Sequence, residues 1–352
     1  MRALRRTLRS SALLACSWVA SACGSPPVVV ARPLTAAVAG GPSLRGLAVA
    51  PSGEVWASGS QATILRGRAG ALERRGLPDV ADLDVRDLHV IDARTIVALT
   101  SGPGALSRIY RSDDAGERWA LVHENRVEEG FYDALEIGAD GRGFVLGDPV
   151  DGRFVLLQTD DYGRSFREAP SAPAALPGEH AFAASGTCLA VKDGVVWIGT
   201  GGAVARALRS DDGGRSWTAR EVPLAQGRDS AGVFSLAFAD ARRGIAVGGD
   251  YLDPAQAAGV AAWTDDGGER WHLARRPPGG YRSAVALAPF GSPPAAIAVG
   301  PGGVDMSLDA GRTWSPVSRL ALHVASWEPD GRAAVAAGAD GLVVRLELAE
   351  RR

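Results

Sequence analysis

The sequence predicts an all-β protein, a seven-bladed β-propeller of four-stranded antiparallel blades closed by an N-terminal strand. Three observations predict it: a phrase repeated five times, a chain that divides into seven similar stretches, and period-two apolar patterning inside them. The phrase reads Ser/Thr-x-Asp-x-Gly-x-x-aromatic. Its copies are Ser112–Trp119, Thr159–Phe166, Ser210–Trp217, Thr264–Trp271 and Ser307–Trp314, with aromatic positions 47, 51, 54 and 43 residues apart. A period of that size means an array of similar supersecondary units.

The chain opens with a basic stretch (MRALRRTLR), an apolar run from Ala12 to Ala20, and Ala20-Ser21-Ala22 before Cys23. Residues 1–22 therefore read as a secretory signal, too short for an ordinary membrane span. A cysteine placed behind small residues resembles a bacterial lipoprotein signal, with Ala20 departing from the Leu or Val that pattern prefers. The resemblance implies a lipid on Cys23, and Gly24 after it, in place of Asp, implies an outer-membrane lipoprotein facing the periplasm. Ordinary cleavage after Ala22 gives the alternative, a soluble periplasmic or secreted protein.

Residues 23–43 form a short tether and a candidate closing strand. Seven units follow over 44–352, near 44–79, 82–125, 129–170, 178–224, 230–278, 280–319 and 320–352. Each starts with a short alternating run, as in Leu44–Ala50 or Phe234–Ala239. A second run ends in glycine, as in Val55–Gly59 or Ile245–Gly248, and patterns bounded by Gly, Asp and Pro read as strands. A third run enters the repeated phrase and a fourth leaves it, which gives four strands per unit. Unit seven lacks a fourth strand, and Val28–Thr35 has no other partner, so this segment is expected to complete the last unit and remove an open edge. A lipid on Cys23 would then lie within about 13 Å of that strand, the extended reach of Gly24–Pro27.

Within the phrase, the Asp side chain can accept turn amides, the Gly supplies positive φ, and the aromatic residue covers the hairpin. These residues resemble the Asp-box of the bacterial neuraminidase-type (BNR) repeat, where the motif is structural. The resemblance makes Asp114, Asp161, Asp212, Asp266 and Asp309, with Trp119, Phe166, Trp217, Trp271 and Trp314, fold residues.

Composition narrows the functions. Lys192 is the only lysine among 38 basic residues, and removal of Arg2, Arg5, Arg6 and Arg9 with the leader takes the formal charge from −2 to −6. No basic surplus remains for a polyanionic backbone, so nucleic acid is not an expected partner. Beyond the leader Cys188 stands alone in an apolar context and reads as a buried, inert thiol. The five histidines show no metal-ligand spacing, and neither a metal nor a cofactor is expected. The aspartates of Gly147–Gly152 and Gly248–Pro254 read as turn residues.

The first strand of each unit would line a central channel. Its polar residues are Arg45, Arg86, Asp87, Tyr132, Asp133, Ser185, Ser235, Tyr281, Arg282, Ser283 and His323. Arg45, Arg86, Arg282, Tyr132 and Ser185 are the candidate ligand-binding set, because guanidinium groups match carboxylate or phosphate bidentately. Glu179, at the start of a first strand, Tyr281 and Asp133 are the weak catalytic candidates.

The full pattern is similar to propellers of the photosystem II stability/assembly-factor type, whose fold belongs to the sialidase superfamily. That resemblance implies a non-catalytic envelope factor, a monomer that binds a protein or an anionic small molecule or glycan through its channel face, with membrane contact through the lipid. The alternative is a sialidase-like exo-glycosidase acting on an acidic sugar. The Arg-Ile-Pro expected of that enzyme is absent, with Leu44-Arg45-Gly46 near its place. The two readings diverge on whether Arg45, Arg86 and Arg282 meet beside a Tyr or a carboxylate.

Overall fold

The computed structural model describes residues 29–37, 40–68, 71–77 and 82–348. The leader, Cys23 and the tether up to residue 28 lie outside the described residues.

The strands form seven antiparallel sheets. The first holds Leu44–Val49, Val55–Gly59, Thr63–Arg68 and Ala71–Arg74, and the second Asp84–Val90, Ile96–Ser101, Arg108–Ser112 and Ala120–Glu124. The third holds Tyr132–Ile137, Gly143–Val150, Arg153–Thr159 and Arg167–Glu168, and the fourth Leu189–Lys192, Val195–Gly199, Arg206–Ser210 and Thr218–Glu221. Arg228–Phe238, Gly244–Asp250, Ala261–Thr264 and His272–Leu273 make the body of the fifth; Ala284–Gly291, Pro294–Gly300, Gly303–Ser307 and Ser315–Ser318 make the sixth. The seventh is built from both ends of the chain: Val324–Trp327, Ala333–Ala337 and Val343–Leu348, with Val29–Pro33 antiparallel to the last. In that register Val29 faces Leu348 and Pro33 faces Val344, and the Thr35 hydroxyl donates to the Gly341 carbonyl at 2.6 Å. Proline is tolerated there because the segment is an edge strand.

The first strands touch one another in a cycle, each meeting the first strand of the sheet before and after it, and the seventh meets the first. Four of the second strands, VWASG, IVALTS, VVWIG and AAVAA, are buried along their whole length. Fourth strands such as TARE are exposed throughout. The core therefore lies between sheets, toward their inner strands.

The repeated phrase has one geometry in all five copies. The Ser or Thr hydroxyl donates to the Asp Oδ1 at 2.8–3.0 Å and accepts the Gly N–H at 2.8–3.0 Å. The same Asp Oδ1 also accepts the N–H just before the aromatic residue, at 2.8–3.0 Å. In the third copy the Ser216 hydroxyl and N–H hold the Asp212 carboxyl well below the usual carboxylate range. The glycines sit at φ +74° to +95°, and each rests on the second strand of the preceding sheet: Gly116 on Trp56, Gly163 on Val97, Gly214 on Phe144, Gly268 on Trp197 and Gly311 on Ile245. The phrase thus joins neighbouring sheets as well as closing a hairpin.

One boundary differs from the sequence reading. The fourth unit was expected to begin its first strand near residue 180, but that strand is Leu189–Lys192. Glu179–His180 instead pairs with Gly201–Gly202, and together they extend the inner edge of the fifth sheet to six strands.

Candidate functional site at the axial mouth

The segment from Ala181 to Thr187 touches sheets on opposite sides of the cycle. Arg45 Nη1 of the first sheet donates to the Ala184 carbonyl at 3.2 Å, and Arg86 Nη1 of the second donates to the Ala183 carbonyl at 2.7 Å. The Ser185 hydroxyl donates to the carbonyl of Ser283, beside the sixth sheet, at 2.9 Å, and Thr187 Oγ1 donates to Ser235 Oγ of the fifth at 2.7 Å. Asp148 Oδ1 of the third accepts the Ala181 N–H at 3.0 Å. A seven-residue stretch with these partners must cross the axis, and it forms a strap over the end where the first strands begin. Phe182 stacks on Phe234 with ring centroids 3.7 Å apart, and Tyr281 packs edge-on to Phe234 at 4.8 Å. Gly186 has φ +70°, and a Cβ there would lie 2.2 Å from the Asp87 carboxyl carbon, so the strap passes only with glycine.

Two of the three candidate arginines meet beneath this strap. Arg86 also donates Nε to Asp84 Oδ2 at 2.6 Å, while Asp84 Oδ1 is buried without a partner. Burial, then the nearby Arg86 charge, lowers the pKa of Arg45. His323 is pushed down to about 4 by burial and by Arg45 and Arg86, so it adds no charge at neutral pH. The mouth therefore holds two guanidinium groups, with the Asp84 carboxylate on Arg86 and the Asp87 carboxyl, pushed up to about 7 by burial, against Gly186 of the strap.

The remaining candidates lie elsewhere. Arg282 does not join the pair: it is buried and ion-paired to Asp305, with Nε at 2.9 Å from Oδ2. Tyr132 packs between the second and third sheets beside Leu99 and Ile109, its hydroxyl 3.1 Å from His123 Nε2. Asp133 next to it is 1 % exposed, its Oδ2 has no partner, and burial raises its pKa far above the usual range. Glu179 is not at the head of a first strand. It is buried, with Oε1 accepting from Thr200 Oγ1 at 2.6 Å and Arg206 Nε at 2.8 Å, and Oε2 accepting the Leu176 N–H at 2.8 Å. Burial raises the phenol pKa of Tyr281, far from what a nucleophile needs. Ser185 belongs to the strap and is a tie, not a free donor. Cys188 is fully buried and burial raises its thiol pKa. Among the described residues no group of three His, Cys, Asp or Glu side chains is placed to hold a metal.

Sequence reasoning missed Phe182, Phe234, Asp84 and Gly186. The only signal for the strap was the small-residue run Ala181–Thr187, which alternates like a strand.

No described protein family and no curated relative matches the chain. Solved structures do match over nearly its whole length. YCF48 bound to D1 peptide superposes with a TM-score of 0.61 at 13% identity, covering 94% of this chain and 99% of the other. The fold is a β-propeller. YCF48 from Cyanidioschyzon merolae gives the same TM-score, 0.61, at 13% identity, covering 90% of this chain and 98% of that one. The GH74 xyloglucanase from Xanthomonas campestris gives 0.60 at 17% identity, and the match covers 90% of this propeller but only 53% of the xyloglucanase. At these identities the likeness is one of fold.

Proposed function

We propose that the seven sheets are the blades of one closed ring, sealed by Val29–Pro33, and that the protein is a non-catalytic binding or assembly factor of the cell envelope. Its ligand is an anion-bearing segment of a partner protein, held at the mouth by Arg45 and Arg86. One observation carries this reading: the Arg45 and Arg86 guanidinium groups donate to the adjacent carbonyls of Ala184 and Ala183 in the strap, and Asp84 pairs with Arg86 alone. Each guanidinium has five N–H donors, and the contacts described use one on Arg45 and two on Arg86. A carboxylate bound to the spare donors would relieve the mutual repulsion and form charge-assisted hydrogen bonds. YCF48 has been solved with a D1 peptide, which is consistent with a peptide-binding role for the fold. A lipid on Cys23, exposed to the periplasm from the outer membrane, would place the ring against the bilayer.

The glycosidase alternative has lost its residues: Glu179 is committed to Arg206, Tyr281 is buried, and Arg282 is turned to Asp305. Affinity capture from detergent-solubilised envelope tests the binding reading. Wild type should retain a partner that an Arg45→Gln, Arg86→Gln variant of unchanged unfolding midpoint loses. Identical capture by both proteins, or turnover of an acidic glycoside by the wild type, would reject it. Fatty-acid labelling that disappears in Cys23→Ala tests the anchor.

A further inference from the structure

The strap covers the end where the first strands begin. At the opposite end each first strand turns into its second, and each repeated phrase closes its hairpin. In six of the seven sheets that first turn carries a carboxylate: Glu54, Asp92, Asp140, Asp193, Asp240 and Asp330. The sixth sheet has Pro289-Phe290-Gly291-Ser292-Pro293 there, with no charge, and Phe290 is 66% exposed. The repeated phrase departs in the same sheet. Its four other copies place an exposed aspartate at the second position, Asp113, Asp160, Asp211 and Asp265, where the sixth sheet has Leu308, 51% exposed. Two turns of one sheet have thus exchanged an acid for an apolar side chain, and neither side chain is taken up by the core.

The N-terminal strand enters at this end too. Val29 pairs with Leu348, and Glu347 beside it pairs with Ala333, just after the turn at Asp330. The sixth and seventh sheets meet at this corner: a Cβ on Gly331 would stand 3.4 Å from the Phe290 ring and 3.6 Å from Pro289. Cys23 precedes Val29 by six positions in the sequence, so a fully extended connection spans about 20 Å at most.

We infer that this corner rests on a lipid bilayer, with Phe290 and Leu308 entering the headgroup region and the mouth of Arg45 and Arg86 turned to the aqueous side. The inference rests on the envelope reading above and adds which face meets the membrane. An aromatic and an aliphatic side chain gain by burying apolar surface there, and carboxylates at the same two positions would be repelled by anionic headgroups. A protein partner could cover an apolar corner anywhere on the surface. A bilayer reached by an N-terminal anchor has to lie at the end where Val29 enters, and that is where the acids are missing.

An added tryptophan serves as the depth probe. Phe290→Trp and, at the strap end, Leu252→Trp are made in the full chain and in its Cys23→Ala form; Leu252 is 75% exposed in the turn after Asp250. Each protein is mixed with vesicles of phosphatidylethanolamine and phosphatidylglycerol whose acyl chains are brominated. Relative to wild type, the fluorescence added at 290 is expected to be quenched by the vesicles and that added at 252 to be unchanged. Phe290→Ser with Leu308→Asp, which installs the residue of the other four copies, should weaken vesicle binding of the Cys23→Ala protein by about tenfold or more. No quenching at 290 in either form, or equal quenching at both positions, would overturn the proposal. So would a blue shift at 290 that grows with protein concentration without vesicles, which assigns the corner to a second copy. Fatty-acid labelling reads the anchor separately: an acylated protein without quenching at 290 overturns this face and leaves the anchor, whereas quenching of an unacylated protein supports this face and removes the anchor.

Discussion

Replacing Gly214 and its neighbour Gly213 by alanine, one at a time, isolates what the repeated phrase does between sheets. Both residues have positive φ, +82° and +70°, so each alanine would carry a similar backbone cost of about 1–2 kcal/mol. Their surroundings differ. A Cβ on Gly213 meets nothing within 4 Å, whereas one on Gly214 comes within 3.0 Å of the Phe144 ring in the preceding sheet. Overpacking against a buried side chain adds about 1–3 kcal/mol. Gly214→Ala is therefore expected to destabilise by about 2–5 kcal/mol, more than Gly213→Ala by at least ~1 kcal/mol, in urea unfolding followed by tryptophan fluorescence. In a Phe144→Leu background the difference should shrink, because the added methyl then meets a smaller neighbour. Equal losses from the two alanines would mean that the phrase closes its own hairpin and does nothing for the sheet before it.

Other outcomes follow from buried charge, closure and pH. Asp305→Asn leaves Arg282 uncompensated and should cost about 3–5 kcal/mol, while the joint change Arg282→Met, Asp305→Leu should recover much of it; equal stability of the single variant would contradict the pairing. Deleting residues 29–35 should unfold or sharply destabilise the protein by uncovering the edge of Val343–Leu348, so a fully folded truncation would refute closure. Burial raises Asp87 to about 7 and Glu136 to about 8, and a raised acid makes the native state hold more protons than the unfolded chain. His89 and His323, both lowered by burial to about 4, act in the opposite sense up to their ordinary value of 6.5. Above that only the acids remain, so the urea midpoint should fall as the pH rises from about 6.5 through 7, and Asp87→Asn should flatten that slope more than Glu136→Gln. Glu136 keeps 36% of its side chain open to solvent, so Asp87 is the larger source.

The repeating features were legible because they rest on local chemistry. A Ser or Thr, an Asp and a Gly at fixed spacing suffice to build the turn, and the missing fourth strand of the last unit pointed to the N-terminal segment that pairs there. Side-chain direction along the first strands was not legible. Bulges shift the register between Leu44 and Gly46, Val85 and Asp87, and Tyr132 and Ala134, so simple alternation fails at Arg45, Arg86 and Asp133. Tyr132 falls on the core side for the same reason. The strap was invisible because it is tied through its own backbone and hydroxyls to partners spread over five sheets: Arg45, Arg86, Asp148, Ser235 and the Ser283 carbonyl. The run Ala181–Thr187 is also longer than the true first strand, Leu189–Lys192, which has only four residues.

Building the seventh sheet from both termini sets an order on assembly. Thr35 and Gly341 are 306 positions apart, so the segment at Val29–Thr35 must wait until Val343–Leu348 has been made. Until then six sheets can stack while Val343–Leu348 lacks its neighbour, an unpaired edge of the kind that recruits strands from other chains. The interval between the sixth sheet and the pairing of Val29–Pro33 with Val343–Leu348 is thus when that edge is most exposed to aggregation. A free peptide spanning Val29–Thr35, supplied during refolding, should act on that interval before any other.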